Sequence, residues 1–230
     1  MTLPGKVIEV ADGTHGFDAN SFISPELSKK FRNDGMRFCI RYVPRVKPNP
    51  NDISASEAAG ILDCGLGLML VQHVHPDSER EGWSPTGLMG SQYGSFAASS
   101  AFVVGYRYGG MLWCDLEGVK PHTDPRDVIA FCNNWYHEVG QAGFTPGLYV
   151  GFDAGLDAND LYYKLKFSHY WRAYNLNQDQ WPAVRGLQMT QGRQLTVHGV
   201  QIDPDTVHRD AKGGLPLMLV DMEFTHESQT

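Results

Sequence analysis

Short apolar runs alternate with helical patterns through the first two thirds of this chain, and that alternation restricts its fold more than any other feature. GFDANS opens the series. SPELSKKFRNDG follows, with Ser24 as N-cap, Pro25 at the first helical position and Gly35 as a stop. MRFCIRYVPR (36–45) reads as the next strand, and SASEAAGILDCG as a helix whose Ser54 and Glu57 have capping-box spacing. LGLMLVQHV (66–74) is strand-like, GLMGSQYGSFAASSAFVVG reads as a loop running into a helix, and MLWCDLEGV (111–119) is a fourth strand. Asp124-Pro125 opens a helix with Val128, Cys132, Trp135 and Val139 at helical spacing. TPGLYVGFD (145–153) is a fifth strand and DANDLYYKLKFS a short fifth helix. Repetition of this kind favours a parallel α/β architecture.

The pattern then changes. HYWRAYN (169–175), VRGLQMTQ (184–191) and GVQIDPD (199–205) read as strands, but LNQDQWPA and GRQLTVH between them are short and lack a helical face. A parallel crossover needs about a dozen residues or more. The expectation is a TIM-like (β/α) barrel, with about five βα units followed by three helix-poor strands. No linker or internal repeat divides it, so 1–230 reads as one domain, with a core over about 14–222 and a short polar tail at 223–230.

Composition removes several function classes. A net charge of −7 with no basic run argues against nucleic acid and gives no steering of an anionic polymer. No segment is apolar and long enough to span a membrane. MTLPGKVIEVADG lacks the charged start and apolar stretch of a signal peptide, so the chain is expected to be made soluble, and to be cytoplasmic or exported to the cell wall by a non-Sec route. Cys39, Cys64, Cys114 and Cys132 are widely spaced without a CxxC, which predicts four unpaired thiols and no structural zinc.

The apolar run MLWCDLEGV ends in two carboxylates one residue apart. In a strand Leu116 points away while Asp115 and Glu117 share a face. Asp18 ends the first strand and Asp203 the last. In a barrel of parallel strands the C-terminal strand ends surround the active site, so four carboxylates from distant positions would meet at one mouth. Each acid alone could equally cap a turn or face solvent; the set points to a site. Tyr42, Gln72, Tyr149, Trp171 and Gln188 lie at or near strand ends, where aromatic faces suit sugar rings and amides suit hydroxyls. Packing is the competing role for Tyr42 and Trp171.

GFDAN at the first strand, DLE on the fourth and a late Gln followed by VQIDPD resemble the lysozyme-like glycoside hydrolase family 25 barrel. Closer still, GFDANSFIS, RYVPR, QHV with GW, CDLEGV and GGLPLML resemble the DUF1906, or Rv2525c-like, glycoside hydrolase-like domain, from about Gly16 to Val220. The family's aromatic-rich sequence around the last strands is present only in part. The resemblance implies cleavage of peptidoglycan glycan strands. It puts Glu117 in the place of the general acid and Asp115 in that of the acid orienting the substrate's N-acetyl group. Asp18 and Asp203 fall on the supporting carboxylates.

Glycoside cleavage needs a proton for the leaving oxygen and stabilisation of positive charge on the sugar. Glu117, shielded beside ionised Asp115, would stay protonated. The nucleophile is either the sugar's own acetamido oxygen, aligned by Asp115, or water; the sequence leaves both open. The expected partner is a polysaccharide, with no metal and no cofactor. Two rivals stand beside this reading. One is a non-catalytic barrel binding cell-wall glycan or a protein. The other is a metallohydrolase using His15, His73, His75 and His169, although no HExxH is present.

Overall fold

A computed structural model of the chain describes residues 2–75, 82–176 and 187–224. After a leading strand β1 (Lys6–Glu9), the chain runs β2 (His15–Ala19), α1 (Pro25–Asn33), β3 (Phe38–Val43), α2 (Ala55–Asp63), β4 (Gly67–His73), α3 (Gly87–Val104), β5 (Met111–Leu116), α4 (Pro125–Gln141) and β6 (Thr145–Val150). A π-helical turn, α5 (Asp160–Lys164), completes the fifth βα unit. Then come β7 (Tyr170–Arg172), β8 (Leu187–Gln191), β9 (Leu195–Val197), β10 (Val200–Val207) and β11 (Leu217–Val220). The barrel follows the order β4-β3-β2-β10-β8-β7-β6-β5 and closes where β5 pairs with β4. This is a TIM-like α/β barrel of eight strands, five with helical crossovers and three without. Of the expected strand VRGLQMTQ, residues 184–186 lie outside the described residues, as do 225–230 of the tail.

One departure from an all-parallel barrel matters for the site. β10 is antiparallel to both its neighbours, β2 and β8. Asp203 therefore does not end a strand; it lies inside β10 and reaches the mouth because its register partner is Asp18. Three strands had no counterpart in the sequence reading. β9 makes a hairpin with β10, and β11 pairs with β1 and, at Leu219, with β4.

The sequence explains the helices locally. Ser24 Oγ accepts from Leu27 N–H at the start of α1, and Asp124 Oδ1 accepts from Arg126 N–H at the start of α4. At α2, Ser54 Oγ accepts from Glu57 N–H, but Glu57 does not complete a capping box. Its carboxylate is buried against the Arg41 guanidinium at 2.7 Å and also accepts from Ile23 N–H. The segment expected to begin as a loop is helical from Gly87 onward. Its glycines are what let α3 lie directly on α4: a Cβ at Gly90 would land on the Phe131 carbonyl oxygen, and one at Gly94 would come within 2.8 Å of the Trp135 carbonyl. All four cysteines are free, and Cys39, Cys114 and Cys132 are buried. Among the described residues no helix is long and apolar enough to cross a membrane.

Candidate active site

The buried apolar run of β5 ends in Asp115, and strand alternation turns Asp115 and Glu117 to the barrel interior with Leu116 outward. Glu117, just past the strand, is held through its backbone: Trp83 Nε1–H donates to its carbonyl at 2.8 Å, and Trp83 N–H donates to Gly118 O at 3.0 Å. Gly118 has a positive φ of 62°, and a Cβ there would press on the His75 ring. Across the strand pair, any Cβ at Gly151 would overlap the Glu117 carboxylate, so Gly151 keeps the space the acid occupies.

Asp18 is held from two sides. The Tyr42 hydroxyl donates to Oδ1 at 3.2 Å and Gln191 Nε2–H to Oδ2 at 2.9 Å, while Tyr149 OH donates to Gln191 Oε1 at 2.8 Å. Asp203 faces Asp18 across the β2–β10 register. Two residues on and fully buried, Asp205 accepts from Trp171 Nε1–H at 2.9 Å. His73 stacks on Tyr42 with ring centroids 3.9 Å apart, and its Nδ1 stands 3.6 Å from Asp115 Oδ2.

Crowding carboxylates in a shielded mouth favours their neutral forms. Burial pushes Glu117 up to about 9, with the charges of Asp115, Asp18 and Asp203 adding to it. Burial pushes Asp18 up to about 8 despite the hydrogen bond from Gln191, and Asp203 adds further. Asp205 is raised well above the carboxylate range by burial and then by Asp18, and Asp203 is raised by burial. The mouth thus offers a protonated Glu117 at neutral pH. Asp115 Oδ1 is buried without a hydrogen-bond partner among the described residues.

Of the positions singled out in the sequence, Asp18, Asp115, Glu117, Asp203, Tyr42 and Tyr149 come together here. Trp171 lies beneath them, fully buried, edge-on to Tyr149 and Trp113, so it packs the barrel interior and offers no sugar platform. Gln72 and Gln188 are not in the mouth. Gln72 points outward, donating to Pro44 O, Arg45 O and Tyr93 O and accepting from Trp135 Nε1–H. Gln188 donates to Asp210 Oδ2, away from the cluster. The polar side chains on the opposite, inward parity are His73 and Gln191, and these the sequence reading did not place in the cleft. It also passed over Asp205, although IDPD puts it on the same face as Asp203. His15 bonds Thr206 and His169 bonds Ser168 near the N-terminal ends of their strands, away from the mouth. Among the described residues no three His, Cys, Asp or Glu side chains are arranged to hold a metal ion.

An eight-stranded α/β barrel with carboxylates gathered at one mouth has the form of a glycoside hydrolase-like domain. The comparisons with known proteins make the family specific. The family model for the Rv2525c-like, glycoside hydrolase-like domain matches residues 29–207, and the chain belongs to that family. Among solved structures, the Tat-secreted protein Rv2525c of Mycobacterium tuberculosis aligns with a TM-score of 0.64 at 15% identity, over 86% of this chain and 96% of its own. A bacterial lysozyme from Streptomyces coelicolor aligns at 0.57 and 13% identity, over 86% and 93%. A muramidase from Trichobolus zukalii aligns at 0.55 and 17%, over 85% and 93%. No curated protein matches the sequence.

Proposed function

We propose that this chain hydrolyses the glycan strands of peptidoglycan as a muramidase-like glycoside hydrolase, with Glu117 as general acid and Asp115 assisting. The observation that carries the reading is the shielded placement of Glu117 on the same strand face as Asp115, among further carboxylates, where burial pushes its pKa up to about 9. The lysozyme and muramidase likeness in fold supports the same substrate class.

Glu117 gives its proton to the glycosidic oxygen as the bond to the anomeric carbon breaks. The Asp115 carboxylate, on the same strand face as Glu117, accepts the acetamido N–H of the sugar, which directs the acetamido oxygen onto the anomeric carbon and stabilises the charge it acquires. Water then opens that cyclic intermediate and returns a proton to Glu117. Tyr42 and Gln191 hold Asp18 in place at the side of the cluster. A substrate in the wall implies export, and the Tat-secreted relative makes a non-Sec route the natural reading.

The test is reducing-end release from purified peptidoglycan, with and without chelator. Glu117→Gln keeps the shape and removes the proton, so cleavage should fall by about two to four orders of magnitude while glycan binding survives. Asp115→Asn should also lower turnover and shift the pH profile. Unchanged cleavage by Glu117→Gln would remove it as the acid. Binding without any release by the wild type would leave a glycan-binding barrel, and loss of activity with chelator would point to a metal.

A further inference from the structure

A second polar cavity, of about 610 Å³, opens beside the acid cluster under the loop that joins β3 to α2. His73 is the shared wall: the ring that stacks on Tyr42 and approaches Asp115 also lines this cavity. Asn20, two residues after Asp18, lines it as well. The cavity is therefore a sideways continuation of the mouth, and its character is different. Arg45, Lys47, His73 and His75 line it, against a single lining carboxylate, Asp52.

The loop that carries these cations is held by buried groups. Gln72 Nε2–H donates to Pro44 O at 3.1 Å and Arg45 O at 3.0 Å, and the Arg41 guanidinium donates to Asn51 O at 2.8 Å. Ile53 N–H closes the far end on Tyr42 O at 2.9 Å, and Pro44, Pro48 and Pro50 fix φ along the way. Asp52 accepts from Asn49 N–H within the same loop, and burial raises its pKa, which weakens it as a counter-charge. Among the described residues neither Arg45 nor Lys47 has a carboxylate within ion-pair distance.

This chain has 26 acidic against 19 basic side chains, and its mouth is ringed with carboxylates. An acidic group on a substrate finds no cation among Asp18, Asp115, Glu117 and Asp203, and a further negative charge there would add to the crowding that already keeps Glu117 and Asp18 protonated. It needs countercharge within reach of the reacting bond, and guanidinium and ammonium groups on a pre-set loop supply it. We propose that this cavity is an oxyanion subsite that receives an acidic substituent, a carboxylate or a phosphate ester, of the glycan whose backbone lies along the acid cluster. The proposal rests on the glycan reading of the mouth and adds a charge requirement to it.

Calorimetry on the full chain tests it with four sugars. These are N-acetylglucosaminyl-N-acetylmuramic acid with its free carboxylate, the same disaccharide as its neutral methylamide, that amide carrying a 6-O-phosphate, and neutral chitotetraose. At least one anionic form should bind about tenfold tighter than the amide, and which one does so identifies the source of the charge. Arg45→Gln with Lys47→Gln should erase that preference and leave the amide unchanged. Lys47→Glu alone, at an exposed position, should reduce it and keeps the test open if the double variant is unstable. Equal binding of charged and neutral disaccharides, or a preference that survives the substitutions, overturns the subsite and leaves the glycan reading standing. If none of the four sugars binds, the glycan reading fails and the subsite falls with it.

Discussion

Glu117 and Asp18 keep their protons because the fold buries them beside other carboxylates, and the same burial makes them a burden on the folded state. In the unfolded chain such groups titrate near pH 4; in the folded protein they are pushed up to about 9 and about 8. The native state therefore binds more protons across that window. The stability these groups contribute is fully present below about pH 4 and is lost as pH rises through about 8 to 9. Asp18→Asn with Glu117→Gln should accordingly raise the thermal midpoint above wild type at about pH 9, with the gap closing toward about pH 4. A gap that widens on acidification would mean that both groups are ionised in the native protein. Asp18, Asp115 and Glu117 were legible because apolar runs end in them; Asp203 was picked on the same ground but lies inside β10, and Asp205 was passed over. Which amides and rings meet them was not legible, since it depends on parity. Gln72 and His73 are adjacent, yet one faces the helices and the other Asp115, and the polar end of β4 gives no sign of which is inside. The same one-step choice separates Gln188 from Gln191.

At the scale of elements, helix caps and strand runs read correctly where a single residue type decides them, and failed where tertiary contact decides. Glu57 had capping-box spacing, but it serves the buried Arg41, whose guanidinium also reaches Ala19 O and Asn51 O and so ties the end of β2 to the β3–α2 loop. Removing one partner leaves the other charge buried and unpaired, so Glu57→Gln should cost about 3–5 kcal/mol in urea unfolding. The glycine-rich start of α3 read as a loop because glycine disfavours helix in isolation; its use lies in the contact with α4. Two glycines give a paired test. Gly90→Ala places a methyl on the Phe131 carbonyl and should destabilise by about 1–3 kcal/mol. Gly140→Ala, exposed within α4 with nothing within 4 Å of the added methyl, should stabilise by about 0.5–1 kcal/mol. Equal effects would mean that α3 and α4 are not in close contact.

For the molecule as a whole, the closed barrel was legible from connection lengths, but the terminal strands that flank it were not. β1 lies in a sequence with no evident strand partner nearby, and its partner β11 is more than 200 residues away, from Lys6 to Val220. Val10, whose N–H donates to Pro216 O, is buried beside this pairing, and any Cβ at Gly5 would collide with the Val220 carbonyl, so the two ends of the described chain are packed as one edge of the sheet. β2 is still more central, since it carries Asp18 and joins β3 to β10. The family match, residues 29–207, begins inside α1 and stops at the end of β10. A fragment with those limits lacks β1, β2 and β11, which leaves β3 and β10 with unpaired edges and opens the barrel on both sides of Asp18. That fragment should fail to unfold cooperatively and should aggregate. A fragment spanning 12–224 loses only β1 and exposes one edge of β11, so it should unfold cooperatively at a lower urea concentration than the full chain. Cooperative unfolding of 29–207 at the full chain's midpoint would mean that the barrel closes without β2. The acid cluster would then have to be rebuilt around Asp115, Glu117 and Asp203 alone.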